Sequence, residues 1–570
     1  MRLPRDVRGA GWAALIIGVP AALGLFIVLA YGVNVPIGDE WVLAPLFADI
    51  FSGHVSLTAL IAQHNEHRPF VPRVIFILMT ALGGWNPRLA MSGTLLLMLA
   101  AAAGCAWLAR QTLGDDARRY GVPLFLSSLF LFSPTQWETF LMGFVLMMLI
   151  PPLCLVIAVL AAKTVRSIGR ALAIAGACCA IGTYSVANGL LLWPIVTAVM
   201  LWFHRPRSRR DAMTWAAYAA WGAACLGLYF HDYQRPAQVP LGAAFAHPLD
   251  VAEGFCVFLG GALSYPMTRW ATAVLIGAAL IAILAAQIII VWRRQDAALT
   301  DRAVVWIAIA AYAVCSGVLV AVGRAGFGRD QFTASRYVTM SLWAVVAVIM
   351  LAALLSRPRG SWWMLVGSML TLYVLTLQPG LQMARQTYRE HLQVRAIFLF
   401  SDIATDDEMT RLFPDPRFVR DGIEQLREAG VFTRRSPQIT WTPATGRCEH
   451  GTIDTFAIAS ADSNRAAAAG WAYLRERRRP ADAVLLTVDR KGGRDAKDGP
   501  IAVGISLATK PREDVTRALG DAQALLTGWA DTFALPTDRD RLAFWAFDAE
   551  RLTAYPLCAP PGVISVARRP

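Results

Sequence analysis

Apolar runs near the length needed to cross a hydrocarbon core of about 30 Å, about 20 residues, recur along the chain and stop near residue 380. They predict membrane-spanning helices near 11–33, 89–109, 119–133, 138–162, 168–184, 189–203, 212–230, 268–292, 303–322, 337–356 and 360–379, about eleven in all. The stretches Phe70–Leu82 and Phe255–Leu263 are apolar but short, and read as interfacial or re-entrant pieces. Arg2, Arg5 and Arg8 precede the first run, which is longer than the core of a signal peptide and reads as a retained anchor. Beyond residue 380 the pattern changes. Gln382–Phe398 is amphipathic, and Asp406–Leu412 and Val419–Ala429 read as short helices separated by Pro414 and Pro416. From Cys448 the period becomes that of strands: Gly451–Ile458, Ala467–Leu474, Ala483–Val488, Ile501–Ala508, Leu525–Phe533, Leu542–Phe547 and Leu552–Leu557, with turn-rich pieces such as Asp489–Pro500 between. Short alternating strands favour a β-sandwich or jelly-roll-like domain. The expected organisation is a helical membrane domain over 1–379, a helical connector over 380–447 and a β-domain over 448–570.

Composition agrees with the split. Of 570 residues, 56% are hydrophobic and 16% charged, against about 45–50% and about 25% in soluble domains. Residues 1–379 carry 26 Lys+Arg and 15 Asp+Glu, and the remainder carries 27 and 25. The net charge of +13 therefore belongs almost wholly to the apolar part, which argues against nucleic acid as a partner. Every second loop, beginning with the N-terminus and continuing through 110–119, 163–170, 205–210, 293–302 and 357–359, collects 18 of the 26 cations. By the positive-inside rule these loops and the N-terminus are cytoplasmic. Eleven spans then place the C-terminal domain outside.

The opposite loops carry the polar chemistry. Loop 34–88 contains Asp39-Glu40-Trp41 and Gln63-His64-Asn65-Glu66-His67-Arg68, with Trp41–Phe51 between them patterned like a helix on a membrane surface. Asp39 is either the N-cap of a helix beginning at Glu40 or a carboxylate able to deprotonate a hydroxyl. His64 and His67 are three residues apart and could share a helical face. Beside Arg68 they suit phosphate oxygens, a structural polar network or a metal. Glu138 lies in the tight turn 133–139, Tyr184–Gly189 is a second polar turn, and Arg324, Arg329 and Arg336 crowd a third loop that ends at Tyr337. Arginines on that side need compensation, from a phosphate-bearing lipid or substrate, or from loop carboxylates.

Seven of nine cysteines lie at or near apolar runs; Cys448 and Cys558 bracket the β-domain and suit a disulfide, the alternative being two buried thiols. Trp471 and Trp529, in strand interiors, are either core residues or faces on which sugars could stack.

Asp39-Glu40 after the first span, the His64–Arg68 and Arg324–Tyr337 segments and Glu138 together resemble the GT-C class of integral-membrane glycosyltransferases. Strands around Trp471 and Trp529, with Pro511–Val515 between, resemble a β-sandwich module appended to bacterial members. The resemblance implies a bacterial inner-membrane enzyme that takes sugar from a polyprenyl-phosphate donor in one inverting displacement. The acceptor would be a periplasmic glycan, lipid or protein. Asp39, or neighbouring Glu40, would be the base; His64, His67, Arg68, Arg324, Arg336 and Tyr337 would hold the donor phosphate. Some members use a divalent cation, magnesium or manganese, for which Glu138 and Glu66 are the candidates. No glycine-rich phosphate loop lies between a strand and a helix, as expected where the donor carries its own leaving group. The rivals are a multi-pass transporter or lipid flippase with an outer glycan-binding domain, and a non-catalytic glycan-binding scaffold.

Overall fold

The computed structural model describes residues 5–236, 241–264, 270–356, 359–432, 438–443, 448–458, 465–488, 500–535 and 542–559. The start of the run expected at 268–292 and most of the turn Asp489–Pro500 lie outside the described residues. The chain divides into two compact units: Met1–Gly32 with Val55–Gln386, and Val33–His54 with Thr387–Pro570.

The first unit is helical. Among the described residues, seven helices of the chain are long and apolar enough to cross a membrane: Gly11–Tyr31, Pro87–Leu113, Gly143–Thr164, Trp270–Arg293, Ala297–Arg324, Ser335–Leu355 and Gly360–Leu399. Phe70–Gly83, Ile168–Thr183 and Ala187–Phe203 are apolar but shorter. Arg209–Phe230 has 22 residues but opens Arg-Arg-Asp and is rich in Ala, Tyr and Trp, which lowers its hydropathy. Seven rather than eleven helices thus meet the length and hydropathy demand. The run expected at 138–162 is broken into a helical turn Trp137–Leu141, a 3-10 stretch Gly143–Leu149 and the helix Ile150–Thr164. Phe255–Leu263 falls largely within the helix Pro248–Gly260.

Ser335–Leu355 is the centre of this unit, buried on every side from Tyr337 to Leu351. Elsewhere small residues permit close approach. A Cβ on Gly260 would strike the Ala273 carbonyl, and one on Gly277 that of Cys256, so their two helices cross backbone to backbone. Consecutive helices run back and forth between two ends. At one end Lys163 donates to the Asp301 carbonyl (3.2 Å), Trp202 to the Asp301 carboxylate (2.8 Å) and Arg294 to the Leu355 carbonyl (3.4 Å). These residues all belong to loops, or helix ends beside them, that the charge pattern puts on a single side.

Among its described residues the second unit has nine strands: β1 Thr440–Trp441, β2 Gly451–Ile458, β3 Arg465–Leu474, β4 Arg479–Pro480, β5 Ala483–Val488, β6 Ile501–Ser506, β7 Gly528–Ala534, β8 Leu542–Asp548 and β9 Thr553–Pro556. They form one sheet ordered β1-β9-β8-β5-β6 and another of β2-β3-β4 with β7 on β3. The sheets share a core in which Trp529 stacks on Phe544 (5.4 Å) among Ile453, Val484, Leu486 and Phe533. The start of the strand expected at 525–533 is instead a 3-10 turn, Ala522–Leu526. Cys448 and Cys558 are joined by a disulfide with Cα atoms 5.3 Å apart, and the Ile453 amide donates to the Cys558 carbonyl (2.8 Å).

The helical connector expected over 380–447 begins inside a helix of 41 residues, Arg359–Leu399, which continues through Pro379. The helix Pro416–Glu428 follows, and residues 33–54 pack with it. The Gly38 amide donates to the Leu412 carbonyl (2.7 Å), Trp41 lies fully buried against Phe398, and Gly422 leaves room for Ala44. Trp41–Phe51 is therefore a 3-10 turn, Gly38–Leu43, followed by the helix Ala44–Phe51, with Trp41 and Phe47 wholly enclosed. Its apolar face meets protein, in place of the expected membrane surface.

Candidate functional site

In the first unit His64-Asn65-Glu66-His67 is a tight turn, in place of the helical spacing considered for the two histidines. His64 and His67 exchange both backbone hydrogen bonds (2.8 Å each), and Asn65 takes the left-handed backbone (φ 49°) that such a turn requires. Asn is among the residue types that tolerate it best. His67 Nδ1 accepts from the Ala187 amide (3.1 Å), so the neutral ring carries its proton on Nε2, which faces the Glu66 carboxylate at 3.8 Å. His64 instead meets the Phe144 ring edge to face.

Glu66 leads to the arginines. Its Oε1 lies 3.3 Å from an Arg324 terminal nitrogen, while Arg324 Nε donates to the Tyr337 hydroxyl (3.0 Å). Arg324 ends its helix, where a cation is favoured by the exposed carbonyls. Arg336 lies over the Tyr337 ring (5.4 Å) and reaches Glu138 Oε1 at 3.4 Å. Glu138 Oε2 also accepts the Arg336 backbone amide (2.7 Å). This carboxylate therefore caps the first turn of Ser335–Leu355, whose leading amides have no partner within the helix. Ser335 completes the joint by donating to the Thr135 carbonyl (2.9 Å) and accepting from the Glu138 amide (3.2 Å).

Loops far apart in sequence thus meet at one end of the unit, linking Glu66, Arg324, Tyr337, Arg336 and Glu138, with His67 against Glu66. Arg68 has a different task. It is buried and donates to the carbonyls of Tyr229 (2.6 Å), His231 and Ile61 (3.3 Å), pinning chain segments together. That corrects its expected role, since a guanidinium held by main-chain oxygens is a scaffold before it is a phosphate ligand. Tyr229 returns the link by donating its hydroxyl to the Glu66 carbonyl (2.6 Å). Burial, reinforced by the Glu66 carboxylate, pushes the neighbouring Tyr233 phenol above its ordinary range.

Asp39 and Glu40 belong to the second unit. Asp39 is exposed and caps nothing; Glu40 is the capping acid, 5% exposed, with Oε2 accepting the Ile37 amide (3.2 Å). That corrects both the expected N-cap and Glu40 as an alternative base. Among the described residues no group of three or more His, Cys, Asp and Glu side chains is arranged to hold a metal ion. Glu66 and Glu138 are each paired with arginine.

Sequence reasoning passed over Tyr229, and also a cluster in which Glu253 accepts from Trp270 (3.0 Å) and Arg329 (3.1 Å) while Arg329 covers the Trp270 ring. Neither carries a local motif, because the partners lie in different helices. No protein-family model matches the chain, and no curated protein and no solved structure matches it.

Proposed function

We propose that this protein is an integral-membrane glycosyltransferase that moves a sugar from a polyprenyl-phosphate donor to an extracytoplasmic acceptor. The observation that carries the reading is the junction of Glu66, Arg324, Tyr337, Arg336 and Glu138 at one end of an apolar helical unit. Its two ion pairs are long, 3.3 and 3.4 Å, and partly exposed. Such pairs contribute about 0–1 kcal/mol, so an incoming phosphate can displace the carboxylates and take up the guanidinium donors. A departing lipid phosphate gains charge as the glycosidic bond breaks, and fixed donors stabilise it where water is scarce. Tyr337, which accepts from Arg324, keeps its own proton to donate.

In this reading eleven segments cross the bacterial inner membrane, the N-terminus is cytoplasmic and the polar junction faces the periplasm together with the C-terminal unit. Asp39 is the proposed base on the grounds of its sequence position and exposed carboxylate. The test is transfer from a synthetic short-chain polyprenyl-phosphate sugar by purified protein, with and without EDTA to detect a divalent cation. Arg324→Ala and Arg336→Ala are expected to lower kcat/KM by about 100-fold or more each, the scale on which losing an oxyanion donor acts. An inactive wild type against a donor panel, with lipid or solute movement across vesicles, would replace this reading with a transporter.

A further inference from the structure

Beside the Glu66–His67 turn, within the first unit, lies a cavity of about 790 Å³, inside the range of about 300–1,000 Å³ typical of small-molecule sites. Two strands of loop form it, 58–68 and 231–236, and they are stitched together by Gln63, whose amide both donates to the Gln234 carbonyl (2.5 Å) and accepts the Gln234 amide (3.0 Å). The stitching fixes the walls and occupies Gln63. Arg68 lines the cavity as well, but its donors already serve three main-chain carbonyls, and His231 Nδ1 meets one of the two Asp232 oxygens, Oδ2, at 3.1 Å. What the walls present besides is the Thr58 hydroxyl, the Asn65 and Gln234 amides, the Arg235 guanidinium and the carboxylate of Asp232, 88% exposed. Ile61, Ala62 and Pro236 supply apolar patches between them.

A carboxylate and side-chain amides set among apolar patches match adjacent sugar hydroxyls, which both donate and accept, over C–H faces that pack on apolar atoms. A phosphate would meet Asp232, and both guanidinium groups of the lining, Arg68 and Arg235, already have partners. We infer that this cavity binds the saccharide of the acceptor, through hydroxyls held by Asp232, Asn65 and Gln234. The inference deepens the proposed function and rests on it for the word acceptor; binding itself does not depend on transfer.

The experiment is saturation-transfer NMR and calorimetry on the full chain in lipid nanodiscs without donor, using disaccharides of the common hexoses and pentoses and, separately, inorganic phosphate. At least one disaccharide is expected to bind, phosphate is expected neither to bind there nor to compete, and Asp232→Asn is expected to weaken binding about tenfold or more, as loss of a charge-assisted hydrogen bond should. Asn is chosen because residue 232 has φ 51°, which Asn tolerates; Gln234→Ala, which keeps the backbone stitching, gives an independent reading. Arg324→Ala is expected to keep disaccharide affinity while losing transfer. No binding by any disaccharide, binding unchanged in both cavity variants, or phosphate competing for the site would overturn the inference. Disaccharide binding without transfer by wild type would instead overturn only the transferase reading.

Discussion

The two halves of one loop, residues 34–54 and 55–88, both set aromatic and apolar residues beside charged ones, three acids in the first and one acid with three arginines in the second, and have different fates. The first half is consumed by packing: Trp41 and Phe47 are fully buried, the Trp41 indole donates to the Pro36 carbonyl (3.0 Å), and Glu40 turns back to cap its own helical turn. The second half keeps residues 61–67 mostly half exposed, and two buried guanidiniums hold it through main-chain carbonyls: Arg68 on Tyr229, His231 and Ile61, and Arg73 on Ala59, Leu60 and Ala62. Enclosed aromatics anchor a segment; a buried guanidinium shapes one. Only the second kind leaves Glu66 and His67 presented beside the arginines.

The largest effect expected along this contrast is Trp41→Ala, which should destabilise the second unit by about 3–5 kcal/mol, as truncation of a buried Trp does. Thermal unfolding followed by near-UV signals checks it, and an unchanged midpoint would erase the distinction between the halves. Arg68→Ala should cost about 2–3 kcal/mol by leaving inward-facing carbonyls without donors. Arg68→Lys should not rescue it, because one ammonium cannot reproduce the planar fork. Glu40→Ala should cost about 1 kcal/mol, the usual value of a lost cap. Glu66→Gln should shift stability by less than about 1 kcal/mol yet lower transfer strongly, and a stability loss as large as that of Arg68→Ala would make Glu66 structural. Smallest in stability is Asp39→Asn, within about 0.5 kcal/mol for an exposed side chain; if Asp39 is the base, transfer nonetheless disappears.

A pH dependence separates the units further. In the second unit the Tyr473 hydroxyl donates to Asp521 (2.6 Å) and holds that carboxyl below its ordinary range. The stabilisation is complete above the ordinary carboxylate pKa of about 3.9 and is lost as pH falls through the lowered value. Tyr473→Phe should flatten that acid limb, readable by acid unfolding.

The strands were legible because a short apolar period is local: β2 and β5 begin and end where theirs does, β2 opening with alternate burial and β5 buried along nearly its whole length. Membrane character was legible for the same reason, since a long apolar run needs no partner to be recognised. The count of crossings was less so. The runs at 119–133, 168–184 and 189–203 form helical stretches of 15 to 17 residues, Ala117–Leu131, Ile168–Thr183 and Ala187–Phe203, and Arg209–Phe230 is diluted by Ala and aromatic residues. Within the candidate site, Arg324 and Arg336 were readable as cations in the wrong loops, and Glu66, Glu138 and Tyr337 as polar residues of loops on the same side. Their pairing was not, because the partners of Glu66 and Glu138 lie 258 and 198 residues away.

What the sequence determined by itself is what depends on neighbours along the chain: apolar helices, alternating strands, and a charge bias between successive loops. Tertiary structure alone decided which polar groups are occupied. It buried Glu40 and left Asp39 exposed one residue earlier, bound Arg68 to three carbonyls, set Glu138 at the start of another helix and joined Arg324 to Glu66. The reason is physical: a hydrogen-bond donor or carboxylate is satisfied by whatever lies within about 3 Å in space, and for these residues the chain reaches that distance only after folding.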